Sequence, residues 1–192
     1  MMRQRDKPED GRKSADPLLA LYGRPGFMIR RAHQIAVSLF LEETGALRIT
    51  TTQFGILHLL KHRPGLDQIS VAKLLGLDRS TTGMVLTKLE GAGLVGRSVG
   101  VDDRRKRSLV LTLAGEKMLE RLKEPARRVQ ARQLSAFEPH ERKLFLELLG
   151  KFTRAFNEST RAPLEAHRAK KSETPSFRGA RNARTRNPGP GT

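Results

Sequence analysis

Between Ile69 and Leu111 the spacing of apolar side chains switches from helical to extended, and that switch limits the folds open to the chain. From Ile69 to Leu75, the apolar residues Val71, Ala72, Leu74 and Leu75 predict a short amphipathic helix. Gly76-Leu77 breaks it, and the Asp78 carboxylate stands where it can cap a second helix. From Arg79 to Gly91 the apolar face is Thr82 (through its methyl), Val85, Leu86 and Leu89, spaced by threes and fours. Two short helices joined by a glycine turn predict a helix-turn-helix, whose second helix can enter the DNA major groove. Beyond Gly93 the period drops to two. Leu94-Val95 and Leu109-Val110-Leu111 predict strands around Asp102-Asp103-Arg104-Arg105-Lys106-Arg107, a β-hairpin wing with a basic tip. The expected fold is mainly α with a small hairpin: a winged helix-turn-helix flanked by further helices.

Composition narrows the functions. The 192 residues allow one domain with a real core. A formal charge of +17 attracts polyanions, nucleic acid first. With no cysteine, disulfides, thiolate zinc sites and cysteine redox switches are excluded. No apolar run approaches the roughly 20 residues of a membrane span. The start, MMRQRDKPEDGRKS, is charged and has no apolar centre, so no signal peptide is expected and the cytoplasm is the default location.

Outside the central stretch, the polar residues 1–16 are expected to be a disordered arm. Pro17 to Tyr22 is an apolar patch suited to packing on a partner. A helix is predicted from about Phe27 to Glu43, striped by Met28, Ala32, Ile35, Ala36, Leu39 and Phe40 and ended by Gly45. A second, from about Thr51 to His62, is apolar nearly all round and should be central, with Thr51 or Thr52 as its cap. Thr112 is predicted to cap a long helix to about Leu134, which Pro125 should kink or split. The last helix, about Pro139 to Asn157, carries a stripe of Leu144, Phe145, Leu148, Leu149, Phe152 and Phe156. From Arg161 the chain is basic and rich in proline and glycine, which predicts a disordered tail. Such a tail suits two roles, added electrostatic affinity for DNA or simple solubility.

The central stretch resembles the MarR family of transcription regulators. Leu77-Asp78-Arg79-Ser80-Thr81-Thr82 matches the opening of its recognition helix, and Leu89-Glu90-Gly91-Ala92-Gly93-Leu94 its close. Asp103-Arg104-Arg105 and Leu109-Val110-Leu111-Thr112 match the wing, with Gly115 at the expected distance beyond them. The likeness extends from about Gly26 to about Phe156. It implies a MarR-type domain over about 17–160, with a winged helix at about 48–112, dimerisation helices at about 24–45 and 113–158, and the basic tail from 161. The first and last helices carry more apolar surface than a small winged helix can cover. A homodimer would cover it, as the resemblance also implies.

The candidate DNA-contacting residues lie in two groups. On the helix face opposite Thr82, Val85, Leu86 and Leu89 stand Arg79, Ser80, Thr81, Gly83, Met84, Thr87 and Lys88. Hydroxyls and an arginine can donate to base edges or phosphates, Met84 and threonine methyls can touch thymine methyls, and Gly83 admits a close backbone. The alternative is an ordinary solvated face. In the wing, the resemblance assigns Asp103 a structural pairing and Arg105 a place in the minor groove, where an arginine suits the concentrated negative potential. Arg104, Lys106 and Arg107 are left for phosphates or for a salt bridge to Asp103.

Ile29-Arg30-Arg31-Ala32-His33-Gln34 resembles a MarR subgroup associated with aromatic acids or their coenzyme A thioesters. Arg30, Arg31, His33 and Gln34 are therefore candidates for an effector carboxylate or phosphate, or for intersubunit salt bridges. Phe40, Leu57 and Leu60 could line an apolar wall or belong to the core. Gly91–Gly96 spells GxGxxG and Gly96–Gly100 spells GxSxG, but neither has the strand-to-helix setting its chemistry needs. His58 and His62 stand at i, i+4 with no third metal ligand in view. No catalytic residue, cofactor or metal site is assigned. The expected function is a sequence-specific transcription regulator, a ligand-responsive repressor binding an inverted repeat as a homodimer. The rival is a nucleoid-type or RNA-binding protein without sequence preference.

Overall fold

The computed structural model describes residues 17–99 and 107–167. In chain order these form α1 (Pro17–Tyr22), α2 (Pro25–Thr44), α3 (Thr51–His62), α4 (Gln68–Leu75), α5 (Arg79–Gly91), β1 (Val95–Val99), β2 (Arg107–Leu111), α6 (Leu113–Leu134) and α7 (Pro139–Ala155). Short 3-10 turns occupy Gly45–Leu47, Asn157–Ser159 and Glu165–His167. Among the described residues, no helix is long and apolar enough to cross a membrane.

Local chemistry fixes where the helices start. The Asp67 carboxylate accepts from the Ser70 amide at 2.7 Å, and the Thr112 hydroxyl from the Gly115 amide at 3.1 Å. The cap of α3 is Thr50, not Thr51 or Thr52. Thr50 Oγ1 accepts from the Gln53 amide at 3.2 Å while the Gln53 side chain accepts from the Thr50 amide at 2.9 Å. Only Thr50 lies three residues before a glutamine, so only it can form this reciprocal box. Helix α2 starts at Pro25, where the missing amide hydrogen costs nothing. At its other end Gly45 keeps right-handed helical angles, and the left-handed residue is Arg48, with φ 51°.

The core surrounds α3. Ile56, Leu57 and Leu60 meet Val71 of α4, Leu86 and Leu89 of α5, Leu109 of the hairpin and Leu122 of α6. Burial of each such side chain is worth about 1.5–3 kcal/mol, so this cluster sets the positions of α4, α5 and the hairpin. The strands pair antiparallel from Val95↔Leu111 to Val99↔Arg107. On the hairpin's other edge the Leu109 amide donates to the Leu66 carbonyl at 2.8 Å, which ties its base to the loop before α4. Helix α6 begins against the same base: a Cβ on Gly115 would run into the Leu94 carbonyl oxygen.

Pro125 does not split α6, which runs unbroken from Leu113 to Leu134. An interior proline costs about 3 kcal/mol, but α6 is held on both sides of it. Leu122 and Val129 are buried, and charged side chains clasp α6 to α2. Glu43 accepts from Arg128 Nε at 2.7 Å and from Arg132 Nη1 at 2.9 Å, while Arg132 Nη2 donates to Glu42 at 2.8 Å. Helix α7 is placed differently. None of its residues is buried, and its stripe from Leu144 to Phe156 faces outward. Residues 161–167, expected to open a disordered tail, instead pack on α4 and the turn after it.

The two arginine hydrogen bonds hold the Glu43 carboxyl below its ordinary value, against a smaller opposing effect of desolvation. A carboxyl with a lowered folded-state pKa adds stability that is present above its unfolded value and lost as pH falls through the folded one. Glu43→Gln should therefore lower the thermal unfolding midpoint at pH 7, with the gap to the parent closing as pH falls below about 4.5. A gap of constant size down to pH 3 would show that the Glu43 charge is not what joins α2 to α6.

Candidate nucleic-acid interface

The turn between α4 and α5 is built from three residues. Gly76 adopts φ 61°, a left-handed angle that glycine takes without strain, and the Leu77 amide donates to the Ala72 carbonyl at 2.9 Å. Asp78 then caps α5 by accepting from the Thr81 amide at 2.8 Å. Its two oxygens also accept from Ser80 Oγ and Thr81 Oγ1, each at 2.6 Å. The Ser80 and Thr81 hydroxyls, then the Thr81 amide, hold the Asp78 carboxyl far below the usual carboxylate range. Asp78 is thus ionised at neutral pH, and the positive end of the helix favours that charge.

This geometry revises the expected chemistry of the two hydroxyls. Their protons are committed to Asp78, so what they offer outward is lone pairs. They suit an amino group on adenine or cytosine better than a phosphate oxygen. Of the remaining face, Arg79, Met84, Thr87 and Lys88 are exposed with Ser80, Met84 at 63%. Thr81 is half-buried. Gly83 is half-buried too, and an added Cβ would lie 3.1 Å from Gln68 Nε2 of α4. The opposite side is locked into the core through Thr82, Leu86 and Leu89, and Thr82 Oγ1 donates back to the Asp78 carbonyl at 2.8 Å.

The wing leaves the core beside this helix. Arg97 Nε on β1 donates to Glu90 Oε1 on α5 at 2.8 Å, a tie that helical or strand periodicity does not reveal. An ion pair this exposed is worth at most about 1 kcal/mol, so it aligns the hairpin with α5 more than it stabilises either. Ser108 Oγ donates to the Ser98 carbonyl across the strands at 3.0 Å. Asp103, Arg104, Arg105 and Lys106 lie outside the described residues. Arg107 is the first residue of β2, opposite Val99.

The expected effector residues fall on the exposed surface of α2. Arg30 donates to Gln34 Oε1 at 3.0 Å and sits 4.8 Å from the centre of the Phe27 ring, while Arg31 and His33 are exposed beside it. They do not line the nearby cleft of about 490 Å³ between α2, α3 and α6, whose walls include Phe40, Phe54, His58, Val129 and Gln130. Of the apolar wall expected from Phe40, Leu57 and Leu60, only Phe40 reaches this cleft. Leu57 and Leu60 are core. His58 and His62 pack ring to ring at 4.7 Å, and no metal-binding cluster of three or more side chains exists among the described residues.

A helix presenting a polar, basic face beside an antiparallel hairpin, with its other face fixed in a core, defines a winged helix-turn-helix. Comparison with known proteins agrees. Residues 49–106 match the model of the MarR family. An HTH-type transcriptional repressor of Mycobacterium tuberculosis is 31% identical over 137 residues, 70% of this chain and 94% of that protein. The transcriptional repressor CouR, solved bound to a 23-mer DNA duplex, superposes with a TM-score of 0.66 at 30% identity, covering 73% of this chain and 99% of that one. BpsR of Bordetella bronchiseptica, whose DNA binding is regulated by 6-hydroxynicotinic acid, superposes with a TM-score of 0.65 at 26% identity, covering 69% and 94%. The chain belongs to the MarR family of transcription regulators.

The packing of Gly83 yields a test. Gly83→Ala gains about 1 kcal/mol of helix propensity and displaces only the flexible end of Gln68. Stability in urea should stay within about 1 kcal/mol of the parent, and DNA affinity should hold. A marked loss of affinity with the fold intact would return Gly83 to the DNA face.

Proposed function

We propose that this regulator is a ligand-responsive repressor that binds an inverted repeat as a homodimer. The observation that carries the reading is the division of α5 into a face locked in the core and a face of Arg79, Ser80, Met84, Thr87 and Lys88 open to a major groove. The DNA-bound relative CouR supports it. Arg105 at the wing tip is the minor-groove residue, with Arg104, Lys106 and Arg107 available to phosphates and Asp103 to a structural pairing.

The dimer rests on surface that the chain cannot cover alone. Leu144, Phe145, Leu148, Leu149, Phe152 and Phe156 on α7 are 37–57% exposed, and Leu18, Leu19 and Tyr22 on α1 are similarly open. Apolar surface of this extent marks an interface. Two-fold pairing would set two α5 helices about one turn of DNA apart, roughly 34–36 Å.

The effector site is the cleft between α2, α3 and α6. Its volume, about 490 Å³, suits a small molecule. Phe40, Phe54 and His58 pack in series as tilted ring pairs, with ring centres 5.8 and 5.9 Å apart, which favours an aromatic occupant. An aromatic carboxylate or its coenzyme A thioester fits this wall, and the regulation of BpsR by an aromatic acid supports the class. Arg30, Arg31, His33 and Gln34 on α2 lie outside this cleft and would meet an anion only at the dimer surface. The ligand releases DNA only by binding more tightly to a dimer whose reading heads no longer match the operator spacing.

Binding of genomic fragments at about 150 mM salt, where non-specific affinity is weak, should recover a few sites sharing an inverted repeat. Uniform recovery would favour a nucleoid-type protein instead. On a recovered site, Arg105→Ala should weaken binding roughly tenfold or more with the dimer intact, and unchanged affinity would remove the wing from recognition. Arg30→Ala should leave DNA affinity unchanged and blunt release by the inducing acid. Full induction in that variant would make the arginine a structural residue.

A further inference from the structure

Helix α7 is held at its two ends. At its start Phe137 and Phe145 stack with ring centres 4.6 Å apart, and Arg142 Nε donates to the Phe137 carbonyl at 3.0 Å, which fixes α7 on the turn after α6. Along its length none of its residues is buried. At its far end the hold depends on one side chain. Asn157 is 5% exposed. Its Oδ1 accepts from the Leu164 amide at 2.9 Å, and its Nδ2 donates to the Leu164 carbonyl at 3.2 Å and to Glu158 Oε1 at 3.0 Å. One amide thus closes the loop from Asn157 to Leu164 through both backbone groups of Leu164. Thr160 Oγ1 adds a bond to the Asn157 carbonyl at 2.9 Å. The closed loop lies against Gly76, in the turn between α4 and α5. A Cβ there would stand 3.3 Å from the Ala162 carbonyl oxygen and 3.6 Å from Leu164 Cβ, and the 3-10 turn at Glu165–His167 packs on α4. Beside the loop, Phe152 and Phe156 of α7 and Leu77 and Ser80 of the turn line an open cleft of about 920 Å³. The loop therefore makes the join to the turn, and not α7 itself.

One attachment and two differ in the motion they allow. The place of α6 against the reading head (α3 to α5 and the hairpin) is set by the core, through Leu122 and the close approach of Gly115 to the Leu94 carbonyl. A helix joined to α6 through a single turn can swing about that turn. Helix α7 has 17 residues and is about 25 Å long, so a second attachment at its far end removes the swing. The stripe from Leu144 to Phe156 lies on this same helix. Whatever fixes α7 against the head therefore also fixes the head against a partner paired through that stripe. We propose that Asn157 is a positioning residue for DNA recognition: the loop it closes against Gly76 holds the reading head on α7, and so sets the separation of the two α5 helices in the dimer. The proposal rests on the reading of the chain as a homodimer paired through α7 on an inverted repeat. Heads already set at the operator spacing lose less freedom on binding, and they reject a repeat of different spacing.

The test uses the full chain and two variants of it. Asn157→Ala removes both bonds to Leu164. Leu164→Pro removes the amide donor from the other side and lies outside α7, so it serves if Asn157→Ala does not fold. The chain has no cysteine. Lys88→Cys, on the exposed face of α5, therefore places one spin label on each subunit. Pulsed spin resonance of the labelled dimer, without DNA, should give a narrow distribution of label separations for the full chain. Either loop variant should give a wider one while still sedimenting as a dimer. The second readout uses unlabelled protein and a site recovered from genomic fragments, with and without one base pair inserted at its centre, a shift of about 3.4 Å. The insertion should weaken binding of the full chain roughly tenfold or more and of the loop variants less than about threefold. A purely structural role for Asn157 would weaken both duplexes by one factor. An unchanged distribution of separations together with an unchanged ratio between the duplexes would overturn the proposal. If the full chain is a monomer, or does not distinguish the two spacings, the reading as a dimer on an inverted repeat fails, and this proposal falls with it.

Discussion

The exposed face of α5 is aimed by one seam of aliphatic packing. Leu86 and Leu89 of α5 close against Ile56, Leu57 and Leu60 of α3, in a cluster that includes Leu109 and Leu122. A helix 13 residues long is marginal on its own in water, and α5 carries an interior glycine besides. Its stability comes from the seam, and so does its rotation about its own axis. Rotation decides which residues face out. The same packing that excludes Thr82, Leu86 and Leu89 from solvent leaves Arg79, Met84, Thr87 and Lys88 in it.

Asp78 adds a finer control. One ionised carboxylate takes the Thr81 amide of α5 and both neighbouring hydroxyl protons. The N-terminal end of α5 is therefore ordered by its own hydrogen bonds. The arrangement also converts Ser80 and Thr81 from general donors into oriented acceptors. On the other side of the turn, Gly76 allows the Ala162–Leu164 backbone to approach. The turn is thus braced from the core, by its cap and by the returning C-terminal segment.

The periphery is organised by charge and by exposed apolar surface. Glu42 and Glu43 join α2 to α6 through Arg128 and Arg132, far apart in sequence. The aromatic cleft lies between the same two helices and α3. An occupant that changed the spacing of α2 and α6 would act at once on this clasp and on the base of the hairpin, where α6 begins under the Leu94 carbonyl. Helix α7, with no buried residue, leads directly through Asn157 to the turn before α5. The exposed apolar surface of α7 and the turn before α5 are therefore separated by a single short connection.

Periodicity and capping chemistry in the sequence were enough to determine the order of helices, the hairpin, the Gly76–Asp78 turn and the buried face of α5, because each depends on residues close together in the chain. The reciprocal pair Thr50 and Gln53 was legible as a threonine three residues before a glutamine, though the cap was expected at Thr51 or Thr52. Only the tertiary structure decided that Gly83 faces Gln68, that Leu57 and Leu60 belong to the core and not to a cleft, that Arg97 meets Glu90, and that α6 runs through Pro125. It also decided that residues 161–167 return to α4 when their composition reads as tail. In each case the deciding partner lies on another element or in a loop closed by a side chain. Helical and strand periods describe one element's own faces and carry no information about which neighbour covers them.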